Sequence, residues 1–473
     1  MRRAIGIAFL LLLVRAAPAQ TLPPAPTAAA VEIGRLMSGL HARGQFDGAV
    51  LVAAGGTVVY RAAFGEAHPG TPFTPATPSC LASLSKPFTA LAILMLHERH
   101  RLDYDDPVAR YLPELAHYAP TVTLRQLLTH TSGVPDYSSD LGIEHPGLTN
   151  AEVLRTVVAR GVVRFSPGER YEYSNTGYVL LALVVERVSG QPFPEFLRAH
   201  VFAPAGMTRT FVHTDPALKT PAVAVGYDAF GQRSDYAAIV TGDGGMYSTV
   251  DDLAAWDRAL HGGRLVRPAT LAEAFVPGTV RQGTTTYGLG WNVADDVGER
   301  RVWHTGNTAG FRAFIERRLE SRSVVILLTN HGNSRRVEIN AAIRHILAGE
   351  PYSLPKRSIA ERLYPVVRDS GATAALRIYA ALRAAGDTTY DFAEGELNAL
   401  GYQILGARRG PADAIAIFRQ NADEHPASSN AFDSLAEAYG RAGQREEAVA
   451  SYRRALQLDS TNVHAATMLR RLQ

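Results

Sequence analysis

Residues 83–86 (SLSK) contain two side chains that could together perform nucleophilic chemistry. On a helix, positions three apart lie on one face, so the amine of Lys86 can reach the hydroxyl of Ser83. A serine hydroxyl is a poor nucleophile unless a neighbouring base takes its proton. Lysine can be that base only where burial or a nearby charge lowers its pKa from about 10.4. Ser85 has Phe88 three positions on, which offers no base, so the spacing selects Ser83.

Two further motifs follow in chain order. Residues 173–175 (YSN) come ninety positions later, and residues 304–306 (HTG) end a predicted strand. Ser-x-x-Lys, then Tyr-x-Asn, then a basic residue followed by Thr-Gly resembles the three-part active site of the penicillin-recognising serine hydrolases. The similarity is to the branch of class C β-lactamases, D-Ala-D-Ala carboxypeptidases and family VIII esterases. Residues 127–133 (LLTHTSG) and 242–249 (GDGGMYST) also resemble this branch, so the likeness covers roughly residues 31–350.

The resemblance implies a role for each motif residue. Ser83 would attack the acyl carbon of the substrate and carry the acyl-enzyme. Lys86 and Tyr173 would share the proton of Ser83 as general base and acid, and the sequence leaves open which of them is the base. Asn175 would hold Lys86 and the acyl side chain, and the backbone N–H groups of Ser83 and Asn307 would form the oxyanion hole. The resemblance implies no metal and no other cofactor.

His304 departs from the lysine that is typical of β-lactamases at this position. With Asn175, Thr305 and Gly306 it belongs to the predicted substrate-binding set. A fixed ammonium helps to dock a substrate carboxylate, whereas histidine is charged only in part near pH 7. The difference favours peptidase or esterase relatives over β-lactamases. It also predicts that the preference for carboxylate-bearing substrates falls as the pH rises through the pKa of His304. Three other polar residues are expected to be scaffold rather than catalysts: His130, Asp243 and Tyr247.

These motifs require elements that bring distant segments together. Residues 48–60 are typical of a β-hairpin, because Gly55-Gly56 supplies the positive φ angles of a tight turn. From about 81 to 262 the pattern is mostly helical, with loops between. Short strands are predicted further on, at residues 287–291, 301–304, 311–316 and 324–329. The fold class is therefore α+β, a β-lactamase/transpeptidase-like mixed sheet built from both ends of the domain around a helical insert.

A different composition begins after residues 352–355. Residues 429–462 follow the spacing of a tetratricopeptide repeat, and residues 395–428 fit the same pattern if their turn holds one extra residue. We divide this all-α tail into a helical linker over 351–394 and a tetratricopeptide-like domain over 395–473. Two repeats are fewer than the about three that such arrays need for stability, so we expect them to pack on the preceding helices or on the hydrolase domain. An unrelated helical bundle is the alternative.

Composition limits the remaining function classes. The 473 residues include 48 Lys+Arg and 45 Asp+Glu, a balance that argues against a nucleic-acid binder. The single cysteine, Cys80, excludes an internal disulfide. A basic start, an apolar run over 4–14 and Ala-Pro-Ala at 17–19 predict a signal peptide over 1–19, followed by a linker over 20–30. A retained anchor is the alternative, but eleven apolar residues rise only about 16 Å as a helix.

The sequence therefore predicts a periplasmic or secreted bacterial serine hydrolase with no membrane span after cleavage. Its expected substrates are small esters, amides or D-amino-acid peptides, with β-lactams ranked below them. The tail would recruit a protein partner. The alternative is a binding protein whose hydrolase domain is vestigial. The completeness of all three motifs favours the enzyme, because an idle site has no physical need to keep Ser83, Lys86 and Tyr173 together.

Overall fold

The computed structural model describes residues 27–143, 145–214, 223–235, 239–282, 285–296, 298–308, 310–406 and 410–472. The predicted signal peptide and residues 20–26 of the predicted linker lie outside these ranges. The end of that linker is instead helical, because the Thr27 hydroxyl caps α1 (Ala28–Ala42) by accepting from the backbone N–H of Ala30, and the alanines that follow favour helix. Across the described ranges, no helix is both long and apolar enough to span a membrane.

The strands and helices of the described residues alternate irregularly along the chain. The strands are β1 (Gly48–Ala54), β2 (Thr57–Phe64), β3 (Glu66–His68), β4 (Thr71–Pro72), β5 (Ser79–Cys80), β6 (Phe211–Val212), β7 (Met246–Ser248), β8 (Arg281–Gln282), β9 (Thr285–Tyr287), β10 (Asn292–Asp296), β11 (Glu299–Thr308), β12 (Phe311–Arg318), β13 (Ser323–Thr329), β14 (Arg357–Ser358) and β15 (Tyr390–Asp391). The helices of the first 350 residues after α1 are α2 (Lys86–Glu98), α3 (Leu124–Leu128), α4 (Asn150–Arg160), α5 (Asn175–Ser189), α6 (Phe193–Leu197), α7 (Ala203–Ala205), α8 (Val250–His261), α9 (Pro268–Glu273) and α10 (Arg336–Ala348). The tail contains α11 (Ile359–Ser370), α12 (Ala372–Ala384), α13 (Glu394–Leu405), α14 (Pro411–Glu424), α15 (Ser429–Arg441), α16 (Arg445–Leu458) and α17 (Val463–Leu472).

The main sheet is assembled from both ends of the first domain, in the order β2-β1-β13-β12-β11-β10-β9-β8. Every pairing in it is antiparallel, so the prediction of a mixed sheet is wrong. The reason is that β8 to β13 follow one another as neighbours, and short connections between neighbouring strands reverse the chain. The first hairpin then joins this meander through β1 and β13.

The predicted strands match the sheet except at one turn. The hairpin of β1 and β2 is confirmed, with φ of +57° at Gly55 and +78° at Gly56. Residues 288–291, predicted as strand, are instead the turn between β9 and β10. Gly290 has a φ of +83°, and a Cβ there would lie 2.6 Å from the Cβ of Ala90 on α2. The close approach of this turn to α2 therefore requires glycine.

Both faces of the sheet are covered, because side chains alternate between the faces along each strand. One face packs on α1 and α10 through Val50, Val52, Phe314, Val325 and Leu327. The other face packs on the helical insert through Ala49, Leu51, Ile315, Ile326 and Leu328. At the centre of the insert, α2 is buried on every side over its first eleven residues, Lys86 included. The start of α2 therefore lies between the sheet and the insert.

The tail has a core of its own, to which α11–α16 contribute. Helix α11 packs against α13, and α12 packs against α14. The helix pairs α13/α14 and α15/α16 begin at residues 394 and 429, against predicted repeat starts of 395 and 429. Polar contacts join the tail to the first domain: Arg335 donates to Asp391 at 2.6 Å and to Glu396 at 2.5 Å.

Candidate active site

The candidate nucleophile lies at the start of α2. After β5, a 3₁₀ turn over Ala82–Ser85 leads directly into the helix. Ala82 has a φ of +48°, a left-handed conformation that costs a non-glycine residue energy. This strained residue directly precedes Ser83. The local fold therefore holds the Ser83 hydroxyl beside the first turn of α2, where Lys86 begins the helix.

Lys86 makes the contact with Ser83 that the spacing predicts. Its ammonium is buried and donates to Ser83 Oγ at 3.1 Å, to Asn175 Oδ1 at 2.9 Å and to the main-chain carbonyl of Asp243 at 3.0 Å. An ammonium has three N–H donors, so all of them are used. The side chain is thus held in one position and aimed at the serine.

The surroundings of Lys86 make it a usable base. Burial lowers the pKa of Lys86 to about 8, while the nearby carboxyls of Asp243 and Asp136 partly oppose this change. A lysine with this pKa loses its proton near neutral pH, which an exposed lysine does not. Lys86 therefore has the lowered pKa that a base beside Ser83 requires.

Tyr173, from the second motif, lies beside Lys86 and Ser83. Its ring centroid lies 4.8 Å from Lys86 Nζ, and its hydroxyl shares a hydrogen bond with Ser83. Desolvation raises the pKa of Tyr173 above its ordinary value, although the residue as a whole keeps 38% of its surface exposed. The phenol therefore keeps its proton at neutral pH. Near neutral pH Lys86 can therefore accept a proton, whereas Tyr173 can donate one.

Asn175 is positioned by the start of α5. The hydroxyl of Ser174 caps this helix by accepting from the N–H of Gly177. The buried carboxylate of Asp136 accepts from the N–H groups of Asn175 and Thr176. Since a helix N-terminus attracts negative charge, Asp136 stabilises the turn that presents Asn175 to Lys86.

His130, expected to be scaffold, lies directly against Tyr173. It is buried with a φ of +58°, and its Nδ1 accepts from the N–H of Ser174 at 3.1 Å. The His130 and Tyr173 rings are 4.2 Å apart between centroids. Burial and the charge of Lys86 lower the pKa of His130 well below its ordinary value, so the imidazole is neutral. His130 thus supports the Tyr173 ring.

The other two scaffold candidates lie in the segment before α8. Asp243 holds Lys86 through its main-chain carbonyl, while its carboxyl accepts from the hydroxyl of Tyr137 at 2.9 Å. Residue 242 must be glycine, because its φ is +100° and a Cβ there would lie 2.4 Å from the carbonyl oxygen of Tyr178. Tyr247 stacks on Phe211 with 5.4 Å between ring centroids.

His304 is buried and neutral, which differs from the predicted partial charge. Its Nδ1 lies 2.7 Å from the carbonyl oxygen of Thr305 and therefore carries the proton; its Nε2 then accepts from the hydroxyl of Tyr287 at 2.8 Å. Burial, with the charge of Lys86, lowers the pKa of His304 to about 3. The expectation of a partly charged docking group is wrong, because the ring is buried and burial disfavours its charged form.

The edge of β11 faces the segment that carries Ser83. β10 pairs with β11 only as far as Trp303, so the continuation through residues 304–308 has no strand on that side in the described chain. Gly306 must be glycine, since a Cβ would lie 1.9 Å from the carbonyl oxygen of Leu81. Asn307 follows, and its side-chain oxygen accepts from Arg336. The oxyanion hole formed by the N–H groups of Ser83 and Asn307 stays a prediction.

Sequence reasoning missed two residues that shape this site. Two serines lie two and three positions after Asp136, a local pattern typical of a capping aspartate, and Asp136 does accept from the N–H groups of Ser138 and Ser139. That signal could have been read. Tyr287 lies at the start of a predicted strand, and nothing in its local sequence indicates that its hydroxyl meets His304. This contact depends on the pairing of β9, β10 and β11.

Comparison with known proteins places the chain in a family. Residues 33–348 match the family described as Beta-lactamase. Penicillin-binding protein 4* of Bacillus subtilis is 34% identical over 68% of this chain and 77% of its own length. A D-aminopeptidase of Gluconobacter oxydans is 28% identical over 66% of this chain and 60% of its own length.

Solved structures show the same fold. A penicillin-binding protein from Bacillus halodurans superposes with a TM-score of 0.60 and 28% identity, covering 66% of this chain and 99% of that one. The D-amino acid amidase from Ochrobactrum anthropi SV3, complexed with L-phenylalanine, has a TM-score of 0.59 and 25% identity, covering 68% and 99%. Because the family match spans well over half of the sequence and contains every motif residue, this chain belongs to the β-lactamase family of serine hydrolases, which includes penicillin-binding proteins and D-aminopeptidases.

Proposed function

We propose that the protein is an exported hydrolase that cleaves the amide bond of D-amino-acid amides or short D-amino-acid peptides through an acyl-Ser83 intermediate. The contact between the buried amine of Lys86 and Ser83 Oγ, at 3.1 Å, carries this proposal. It supplies the activated nucleophile that acyl transfer needs. The choice of substrate is supported by relatives named D-aminopeptidase and D-amino acid amidase. Export rests on the N-terminal signal-peptide pattern.

The geometry supports a sequence of proton transfers. Neutral Lys86 takes the proton of Ser83 as Oγ forms a bond to the acyl carbon, and the N–H groups of Ser83 and Asn307 stabilise the oxyanion. Tyr173 then gives its proton to the leaving nitrogen as the C–N bond breaks. The ammonium of Lys86 returns a proton to the Tyr173 oxygen. In the second half, water loses a proton to neutral Lys86 as its oxygen bonds to the acyl carbon. The bond between that carbon and Ser83 Oγ then breaks, and the ammonium of Lys86 returns the proton to Oγ.

The state of His304 supports amide or ester substrates over β-lactams. A neutral imidazole held between Tyr287 and the Thr305 carbonyl supplies no fixed charge for a substrate carboxylate. β-Lactam antibiotics carry such a carboxylate, as do the C-terminal ends of peptides. A blocked amide or an ester does not. Amides, esters and those peptides whose C-terminus is blocked therefore suit this site best.

A substrate panel tests the proposal. We expect the wild-type enzyme to hydrolyse D-alanine p-nitroanilide faster than its L-enantiomer, p-nitrophenyl esters to be cleaved as well, and nitrocefin to be the poorest substrate. The Ser83→Ala variant is the matched control and should be inactive on all of them. Rapid turnover of nitrocefin with none of the D-anilide would contradict the proposed substrate class.

A second proposal concerns the tail. We propose that residues 395–473 form tetratricopeptide-type repeats that bind a protein partner. The start of α13 and α15 at the predicted repeat boundaries supports this.

The alternative, a binding protein with an idle hydrolase domain, predicts no covalent labelling by a fluorophosphonate probe. The buried, hydrogen-bonded Lys86 beside Ser83 favours labelling.

A further inference from the structure

A cavity of about 340 Å³ lies where the first domain meets the tail. Its walls come from the end of α1 and the residues after it, from the segment that leads into α10 and the first turn of that helix, from the connection between α10 and α11, and from the first half of α11. None of its lining residues belongs to the candidate active site. The cavity is therefore a separate feature, which the proposed hydrolysis does not use.

The lining of this junction cavity is strongly cationic. Five positive side chains line it: Arg43, Arg335, Lys356, Arg357 and Arg362. Arg335 is neutralised by Asp391 and Glu396. The other four form no ion pair with any residue that the structure describes. Glu361 is the acidic residue among the described lining residues; burial raises its pKa to about 7, against the opposing charges of Arg335 and Arg357, so that at pH 7 it carries about half a negative charge.

Two buried polar atoms of the lining also lack partners. Arg43 Nη2 and Gln45 Oε1 are buried and make no hydrogen bond to any described residue. The rest of each side chain is held in place: Arg43 Nε donates to the Gly39 carbonyl at 3.2 Å, and Gln45 Nε2 donates to the carbonyls of Pro355 and Lys356 at 3.1 and 3.2 Å. A buried donor or acceptor without a partner costs stability. One atom needs an acceptor and the other needs a donor.

We propose that this cavity binds a compact anion that carries phosphate or carboxylate groups and at least one O–H donor. The anionic oxygens would accept from Arg43 and offset the charges of Lys356, Arg357 and Arg362. The O–H group would donate to Gln45 Oε1. Because Arg43 and Gln45 belong to the first domain and the other cations to the tail side, the bound anion joins the two parts.

Isothermal titration calorimetry on the full chain, at constant ionic strength, tests whether the junction cavity binds such an anion. Hydrogen phosphate and citrate carry both negative charge and an O–H group, whereas sulfate has charge alone and serves as the matched control. We expect phosphate or citrate to bind with a Kd of about 1 mM or tighter. Sulfate should bind at least about fivefold more weakly, because it leaves Gln45 Oε1 without a donor. Whichever of phosphate and citrate binds more tightly identifies the anionic group that the cavity prefers.

Variants distinguish this site from general attraction to a cationic surface. Arg43→Gln and Arg362→Gln should each weaken binding by about tenfold. Arg453→Gln, on an exposed position of α16, should leave the Kd unchanged. A bound anion should also raise the melting temperature of the wild type more than that of Arg43→Gln. Equal affinity in all three variants, equal affinity for sulfate and phosphate, or no binding up to about 10 mM would each overturn the proposal.

Discussion

Asp243 acts on Lys86 in two ways. Its main-chain carbonyl accepts a hydrogen bond from Lys86 Nζ at 3.0 Å, and the charge of its carboxyl raises the pKa of Lys86 against the effect of burial. The backbone contact sets the position of the amine, and the side chain sets how readily the amine loses its proton. The two effects can be separated by a substitution that changes only the side chain.

The first prediction concerns the pH dependence of turnover. Lys86 acts as a base only when it is neutral, so kcat/KM should rise with pH and level off above about 8, where its pKa lies. Asp243→Asn removes the charge that raises this pKa and keeps an acceptor for the Tyr137 hydroxyl, so the midpoint should move down by about 0.5–1 pH unit. Asp423→Asn, at an exposed site on α14, is the control and should leave the midpoint unchanged. An upward shift in Asp243→Asn would refute this electrostatic account.

The second prediction identifies the nucleophile. Ser83→Ala should lower kcat by at least about 10³-fold and abolish fluorophosphonate labelling, because Lys86 donates a hydrogen bond to no other hydroxyl in the described chain. Ser85→Ala is the matched control: Ser85 is buried and its hydroxyl has no hydrogen-bond partner among the described residues, so labelling should persist. Mass spectrometry of the labelled peptide locates the adduct. Loss of labelling in Ser85→Ala alone would reverse the assignment.

The third prediction separates the roles of Lys86 and Tyr173. Tyr173→Phe removes the proton donor and should lower kcat by about 10²–10⁴-fold. The pH midpoint should stay near 8, because the pKa of Tyr173 is raised and Lys86 sets the midpoint. Stopped-flow measurement of kcat for the variant and the wild type across the pH range gives both midpoints. If the midpoint disappears in Tyr173→Phe, tyrosine is the base.

The fourth prediction concerns His304. With its pKa lowered to about 3, the ring stays neutral, so the ratio of kcat/KM for anionic against neutral substrates should be constant between about pH 6 and 8. His304→Gln retains an acceptor for the Tyr287 hydroxyl without a group that titrates, and should give the same flat profile. The measurement uses a matched pair of esters with and without a carboxylate. A ratio that falls with rising pH in the wild type alone would show that His304 is charged.

The fifth prediction concerns the tail. Because the tail has its own hydrophobic core and none of the motif residues, a chain ending at Lys356 should hydrolyse small substrates within about twofold of the full-length rate. Because Arg335 loses its contacts with Asp391 and Glu396, the melting temperature of the truncated protein should be lower by roughly a few degrees. Circular dichroism monitors folding and a thermal melt its cooperativity. A truncated protein that folds yet has no turnover would show that the tail completes the active site.

Local sequence was enough for those features that depend on neighbouring residues. The Ser83–Lys86 contact follows from a three-residue spacing at the start of a helix, and the hairpin turn follows from Gly55-Gly56. The helix pairs of the tail likewise have periodic patterns that can be read along the chain. The resemblance of the three motifs then grouped Tyr173, Asn175 and His304 with Ser83.

Only the tertiary structure decided the chemical state of those residues. Asp243 lies 157 positions from Lys86, and Tyr287 meets His304 only because three antiparallel strands bring them together. The charge of Lys86 and of His304 depends on burial and on these partners, since desolvation changes a pKa by an amount that residue type does not reveal. The sequence by itself therefore determined which groups could react, whereas the packing of the insert on the sheet determined which of them carry a proton.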